Sequence, residues 1–189
     1  MGRSLAKARK PPAALAKFFD DPPLLPSESR IEYDHLFSAI VDAADPKDAI
    51  EWLFIRDIAD LSWEIRRERA VKAQVIKSAR NEVVENLLTP VDILRGDRTD
   101  LKKWQSDPNS RPAIEKQLPD RGHDEPSILA GAYIRAATSI DAIDRRIASY
   151  ELRRMAALRE VAAYSAKLAG QLKAASEAVI DGEFTEAAE

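Results

Sequence analysis

The chain has 189 residues, of which 45% are hydrophobic and 32% are charged, with a formal net charge of −3 and no cysteine. This length fits one ordinary hydrophobic core, and the composition is too apolar for a disordered chain. The lack of cysteine excludes disulfide bonds, thiol catalysis and thiolate metal sites, and the small net charge gives no bulk attraction to nucleic acid or to a membrane surface.

Residues 1–28 are predicted to form a basic, proline-rich arm. Proline pushes the preceding residue out of the helical region, so we expect a largely extended segment with one short helical turn from Ala13 to Phe19. An arm of this kind is usually solvated, and contact with a phosphate backbone is the functional alternative. Five bases precede the first acid, Asp20: Arg3, Lys7, Arg9, Lys10 and Lys17.

A helix is predicted from Arg30 to Ala44. Ser29 and Glu32 have the spacing of a capping box, in which each side chain satisfies a backbone N–H near the helix start. Asp45 and Pro46 are expected to end this helix and to begin the next one, with Asp45 as the N-cap and Pro46 in the first turn. Apolar residues follow Ser29 at helical spacing: Tyr33, Leu36, Phe37, Ile40, Val41 and Ala44.

A much longer helix is predicted from Pro46 to about Leu88, because this stretch has no glycine and no internal proline. At about 1.5 Å per residue it would be roughly 60 Å long. One face carries Phe54, Ile58, Leu61, Ile65, Glu68, Lys72, Val75, Ala79 and Val83. A second apolar face near the start carries Trp52, Ile55, Ala59 and Trp63. Two apolar faces predict two neighbours, one of which would be the preceding helix.

Residues 89–126 are predicted to form a cap inserted between two long helices. The segment contains five prolines and two glycines, and short helices are expected near Asp100–Ser106 and Pro112–Leu118. A connection of this length is rarely without structure in a compact domain, so it should cover one end of the long helices. Trp104 is interpreted as a core residue, although the lysines before it leave base stacking as an alternative.

The last helix is predicted from about Ser127 to Val179, with an acidic tail over residues 181–189. Apolar residues recur at spacings of four and three, a heptad pattern typical of coiled-coil-like packing: Leu129, Tyr133, Ala136, Ile140, Ile143, Ile147, Tyr150, Ala157, Val161, Tyr164 and Leu168. The sequence therefore predicts an all-α fold, a long antiparallel coiled-coil-like helical hairpin with an additional packed helix and a small helical cap. A single helical domain would span residues 29–180.

Arg154 occupies a position in this heptad pattern where an apolar residue is expected. If the turn of the hairpin brings Leu88 near Pro126, Arg154 would face Asp60. A charge in such a seam costs stability unless it is paired, and its best-attested use is to fix register. We therefore expect Asp60 and Arg154 to form a register pair. The same register brings together further polar groups of opposite sign: Glu68 with Arg145 and Arg146, and Lys72 with Asp141.

Basic residues near the middle of both long helices permit a functional interpretation. Together they could form a basic belt that contacts phosphates or an acidic partner. Acidic residues lie among them, so an ordinary solvated face of mixed charge is the competing interpretation. The basic belt consists of Arg66, Arg67, Arg69, Lys72, Arg145, Arg146 and Arg153.

The sequence carries none of the common catalytic or nucleotide-binding motifs: there is no P-loop, no G-x-G-x-x-G, no G-x-S-x-G and no H-E-x-x-H. Glu32 and His35 have the local spacing of a di-iron ligand pair, but such a site needs a second Glu-x-x-His. The other histidine, His123, lies in a segment that cannot be a regular helix. We therefore expect no catalytic residue, no cofactor and no metal site, and predict that the protein is not an enzyme.

Two stretches carry a set of motifs that resembles a known group. The first combines a Leu-Leu-Pro-Ser-Glu entry, an aromatic helix, a proline turn and a tryptophan followed by two arginines: Leu24, Leu25, Pro26, Ser27, Glu28, Tyr33, Pro46, Trp63, Arg66 and Arg67. The second is "YELRRMAALREV", from Tyr150 to Val161. Both resemble a widespread group of uncharacterised bacterial helical proteins, and the match covers about a third of the chain. The resemblance implies a bacterial origin and an all-helical fold, but no reaction. The group's Asn-Ala…His-Gly motif is absent, so no role of that motif carries over.

The heptad pattern and the lack of catalytic motifs predict a non-enzymatic protein-interaction or scaffold protein that binds a protein partner or itself. Binding of nucleic acid through the arm and the basic belt is the alternative, and no small-molecule substrate is indicated. The longest run of large apolar residues, Trp52–Ile55, falls far short of the roughly 20 residues that span a membrane. The N-terminus lacks a hydrophobic stretch of signal-peptide length, so we expect a cytoplasmic protein with no membrane partner.

Overall fold

The computed structural model describes residues 10–89 and 99–180, with side chains as far as residue 166. Every α-helix in these ranges is numbered in chain order: α1 Ala16–Asp20, α2 Arg30–Ala44, α3 Ala49–Leu88, α4 Thr99–Ser106, α5 Arg111–Glu115 and α6 Glu125–Ile180. Short 3-10 turns at Ala13–Leu15 and Pro119–Arg121 precede α1 and α6. The fold is an all-α helical hairpin in which α3 and α6 pack closely against each other, as the sequence predicted.

The chain divides into two compact units. The first comprises Met1–Ile65 and Ser149–Glu189, and the second comprises Arg66–Ala148. Each long helix therefore contributes one part of its length to each unit, and the units are described in turn.

The core of the first unit lies between α2 and the beginning of α3. Val41, Trp52 and Ile55 are buried there, and the ring of Phe19 packs against Trp52 with 5.8 Å between centroids and against Phe37 at 5.7 Å. Phe19 belongs to α1, so the N-terminal arm completes this core. The additional helix that the sequence predicted is α2, and its neighbour is α3.

Arg56 fastens the arm to α3. Its Nη1 donates to the carbonyl oxygen of Phe18 at 2.7 Å, and its Nη2 donates to that of Asp21 at 3.1 Å. These carbonyls lie at the end of α1, where helical hydrogen bonding stops and carbonyl oxygens need other donors. Arg56 of α3 thus supplies hydrogen-bond donors to the carbonyl oxygens at the end of α1.

The boundary between α2 and α3 differs from the sequence-based prediction. Ser29 does cap α2, since its Oγ accepts from the backbone N–H of Glu32 at 3.3 Å. Asp45, however, adopts a left-handed conformation with φ of 50° and ends α2. The carboxylate of Asp48 caps α3 instead and accepts from the N–H of Glu51 at 3.0 Å. The predicted start at Pro46 was therefore wrong, and α3 begins at Ala49.

In the second unit a small cap covers the end of α3 and the beginning of α6. Its helices α4 and α5 match the two short helices expected in the connection. Trp104 is 2% exposed, and its Nε1 donates to Glu115 at 2.9 Å. The core interpretation of Trp104 is confirmed, and base stacking is wrong because the ring is not accessible. The cluster also contains Val84, Leu88, Ile114, Leu118 and Ile128.

Below the cap, small residues bring α3 and α6 together. Ala132 is fully buried, and Ala79, Ala136 and Ile140 pack in the same cluster. A Cβ atom at Gly131 would lie 3.4 Å from the side chain of Val83, an ordinary van der Waals distance, so the two helices are in contact at this glycine. Small side chains at an interface let two helices approach closely, and this segment of the hairpin uses them at successive turns.

Candidate interaction surfaces

The six residues of the basic belt that lie in the second unit are interleaved with acids. Arg146 Nε donates to Glu68 Oε1 at 2.7 Å, as the predicted register required. Lys72 pairs with Asp144 at 2.7 Å, one turn from the predicted neighbourhood of Asp141. Arg145 donates from Nε to the carbonyl oxygen of Asp141 at 3.2 Å. These cations are held by acceptors of the protein itself.

The remaining members of the basic belt are also engaged or lie elsewhere. Arg66, Arg67 and Arg69 each have an interaction partner within the protein. Arg153 belongs to the first unit, where it lines a groove between α3 and α6. The contacts in the second unit therefore favour a solvated face of mixed charge over a basic surface that binds phosphates.

The proposed register pair has different local partners. Both carboxylate oxygens of Asp60 are occupied, one by the hydroxyl of Tyr33 and the other by Arg56 Nε at 2.8 Å. The Nε of Arg154 is buried and has no hydrogen-bond partner among the described residues. Burial, and then the hydrogen bond to Asp60, raise the pKa of Tyr33 well above its usual value. A role of Asp60 and Arg154 in setting register stays a prediction, but it would not act through a direct bond between them.

An acidic groove of about 580 Å³ runs between α3 and α6 in the first unit. Asp57, Asp60 and Glu64 line it from α3, and Tyr150 and Arg153 line it from α6. Burial raises the pKa of Asp57, and the negative charge of Asp60 adds to this effect. Since Asp60 is bound by Tyr33 and Arg56 and Glu64 also has a partner, the groove supplies local negative charge rather than a set of unoccupied carboxylates.

The outward face of α6 in the first unit is apolar. Leu152 is 73% exposed and Met155 is 46% exposed. The face turned toward α3 carries other residues, among them Ser165, whose Oγ donates to Glu51 at 2.8 Å. At 100° per residue Leu152 and Met155 lie on the opposite side of the helix from the seam residue Ala157. We call this surface the α6 strip, and it consists of Leu152, Met155, Ala162 and Ala163.

The sequence contains a signal for the α6 strip beside the heptad pattern. In "YELRRMAALREV" the seam residues Tyr150, Ala157 and Val161 account for one face only. Leu152 and Met155 lie between them at a spacing of three, which places them together on another face. Apolar residues on two faces of a helix indicate two neighbours, here as at the beginning of α3.

No family model, curated protein or solved structure matches this chain. The resemblance to a bacterial helical group therefore stays a prediction. No helix in the described ranges is both long and apolar enough to cross a membrane. Among the same residues no three or more histidine, aspartate or glutamate side chains are grouped so that they could hold a metal ion. The bases Arg3, Lys7 and Arg9 of the arm, part of the cap connection and the acidic tail lie outside the residues that the structure describes.

Proposed function

We propose that this protein is a non-enzymatic interaction protein that binds a protein partner through the α6 strip. The observation that carries the proposal is the exposure of Leu152, which leaves a large apolar side chain in water next to Met155. Burying apolar surface yields roughly 25 cal/mol per Å², so a partner that covers this strip gains free energy. The proposal is compatible with a protein that acts in a reducing cytoplasm, and that location stays a prediction.

The surroundings of the α6 strip also favour a protein partner. Exposed Arg159 lies on the strip between Met155 and Ala163. Glu160 and Arg153 are exposed at one edge of the strip, where Arg153 also lines the acidic groove. This arrangement is typical of protein interfaces, where apolar anchors are surrounded by polar groups that remain near water. Charges of both signs near the apolar side chains would orient a protein partner by electrostatic attraction. Binding of a nucleic acid would instead require an excess of cations.

The proposal predicts that protein capture depends on the α6 strip. The full chain, immobilised and exposed to extract of its native cell, should retain a nuclease-resistant protein. The double variant Leu152→Glu with Met155→Glu should retain at least tenfold less of this protein than the wild type does. Because Leu152 is 73% exposed and Met155 is 46% exposed, wild type and variant should have the same fold, which thermal unfolding followed by circular dichroism measures.

Ile134→Glu provides the matched control for this experiment. Ile134 lies on the same helix, is 79% exposed and belongs to the second unit, so capture should be unchanged. Equal capture by wild type and by the Leu152 and Met155 variant would refute a role of the α6 strip. Capture that disappears on nuclease treatment would support the nucleic-acid alternative instead.

A further inference from the structure

We propose that the cavity between the N-terminal arm and α2 binds a free aromatic amino acid. The cavity has a volume of about 520 Å³ and lies within the first unit. Ligand sites in proteins commonly have volumes of roughly 300–1,000 Å³ and combine apolar walls with a few polar groups. The inference goes beyond the proposed function, because it concerns another surface of the protein and a small molecule.

Aromatic rings form much of the cavity wall. Phe19 of α1 and Tyr33 and Phe37 of α2 line it. The planes of Tyr33 and Phe37 are nearly parallel, with 7° between them, and the plane of Phe19 is tilted by 52° against that of Phe37. A ligand ring can therefore find both a ring face and a ring edge, the two contacts that aromatic pairs prefer. The small side chains of Ala13 and Ala16 leave space beside these rings.

The charged groups that line the cavity divide into a paired and an unpaired set. Arg30 donates from Nε to Asp34 at 2.8 Å, and Arg56 is occupied by a carboxylate of its own helix and by carbonyl oxygens at the end of α1. The side chains of Lys10 and Asp20 are exposed and have no hydrogen bond or ion pair among the described residues. One ammonium and one carboxylate therefore remain for a ligand, so a zwitterion matches the cavity.

The paired groups also retain hydrogen-bonding capacity on the cavity wall. Arg30 Nη1 donates to the carbonyl oxygen of Asp20 at 3.0 Å, while its Nη2 has no acceptor in the part of the chain that the structure describes. Asp34 uses Oδ1 for Arg30 and keeps Oδ2. The carboxylate of an amino acid would be bound by Lys10 and Arg30, and its ammonium by Asp20 and Asp34. Charge-assisted hydrogen bonds of this kind are roughly twice as strong as neutral ones.

Titration of the full chain with L-phenylalanine, followed by ligand-detected NMR, tests the site. We expect saturable binding with a Kd of about 1 mM or tighter. Three analogues that each lack one recognised group should bind at least tenfold more weakly: phenylacetate lacks the ammonium, phenethylamine lacks the carboxylate and alanine lacks the ring. Absence of saturable binding of L-phenylalanine up to about 10 mM would overturn the proposal, as would equal binding of alanine.

Lys10→Gln and Asp20→Asn test the two charges separately, and neither should change the fold because both side chains are exposed. Lys10→Gln should weaken the binding of L-phenylalanine and phenylacetate but not that of phenethylamine. Asp20→Asn should weaken the binding of L-phenylalanine and phenethylamine but not that of phenylacetate. Lys17→Gln is the matched control, since Lys17 is exposed on α1 but does not line the cavity. An equal loss of binding in the control would overturn the proposal.

Ala16→Leu tests the position of the site without removing a charge. The larger side chain would fill part of the space beside the rings, so the affinity for L-phenylalanine should fall at least tenfold. Ala14→Leu places the same side chain at an exposed position of the arm outside the cavity and should leave the affinity unchanged. Circular dichroism should show the same helix content in both variants. An unchanged affinity in Ala16→Leu would place the ligand elsewhere and overturn the proposal.

Discussion

At the scale of single residues, Asp60 and Arg154 illustrate how a helix seam accommodates charge. Asp60 is held by the hydroxyl of Tyr33 on α2 and by Arg56 on α3. A carboxylate satisfied on both oxygens contributes to the joint between α2 and α3 at little desolvation cost. The Nε of Arg154, by contrast, is buried with no acceptor among the side chains and backbone groups that the structure describes. A buried donor of this kind costs free energy in the folded state.

Replacing Arg154 by leucine is therefore expected to stabilise the protein. The change removes the unsatisfied donor and fills an apolar position of the seam, so the free energy of unfolding should rise by about 1 kcal/mol. Chemical denaturation of wild type and Arg154→Leu measures this difference. Asp60→Asn in both backgrounds completes a double-mutant cycle, in which a coupling below about 0.5 kcal/mol is expected. A larger coupling, together with a loss of stability in Arg154→Leu, would support the interpretation of Asp60 and Arg154 as a register pair.

At the scale of elements, Arg80 joins three helices of the second unit. It lies on α3 and donates to Glu115 of α5 at 2.7 Å and to Glu125 at the start of α6 at 2.7 Å. Glu115 also accepts from the buried ring nitrogen of Trp104, so the cap and both long helices meet in one hydrogen-bonded group. The hydrogen bond from Arg80 lowers the pKa of Glu125, and the hydrogen bonds to Glu125 and Glu115 raise the pKa of Arg80.

Arg80→Met is expected to lower the free energy of unfolding by about 1–3 kcal/mol at neutral pH, because partly buried Glu115 loses its ionic partner. The pKa of Glu125 is lowered in the folded state, so the stabilisation is present above its unfolded pKa and is lost as the pH falls through its folded pKa. Denaturation at pH 7 and at about pH 3 should therefore show a difference between wild type and variant that shrinks in acid.

Arg135→Met is the control for this joint. Arg135 pairs with Glu82 in the same unit, and both side chains are about half exposed. Exposed ion pairs contribute at most about 1 kcal/mol, so this variant should change stability less than Arg80→Met does. Equal effects of the two substitutions would mean that Arg80 is no more than an ordinary surface cation.

At the scale of the whole molecule, the charge pattern bears on the nucleic-acid alternative. The formal net charge is −3, and Lys72 and Arg146 of the basic belt already pair with Asp144 and Glu68. A phosphate backbone would have to displace these acids before it could use the cations. Binding of this kind would also depend strongly on salt, because phosphate contacts release counterions.

We therefore expect no salt-dependent retention of duplex DNA by the full chain. Filter binding at about 50 and 200 mM salt tests this expectation, since a protein with several phosphate contacts loses affinity steeply over that range. Retention at low salt that is reduced by Arg66→Gln with Arg67→Gln, but not by Arg135→Gln outside the basic belt, would contradict it and support the alternative.

The sequence by itself determined the helices and much of their pairing. Helix ends followed from local chemistry at Ser29, and the antiparallel register followed from the length of the connection, as the contact of Glu68 with Arg146 shows. Both features depend on residues that are close in sequence or on a regular repeat of apolar residues, and both patterns can be read from one sequence. The boundary at Pro46 was missed because two aspartates compete there as caps, and only the fold decides which carboxylate faces the helix start.

Tertiary structure alone decided which partner each charge has and which apolar face has no neighbour. Asp60 pairs with Tyr33 because α2 crosses α3 at that turn, a contact between residues far apart in sequence. Leu152 is exposed because a helix in a hairpin buries one face and no other part of the first unit within residues 10–65 and 149–166 covers the opposite face. Spacing shows that a face is apolar, but it does not show whether another part of the chain covers it.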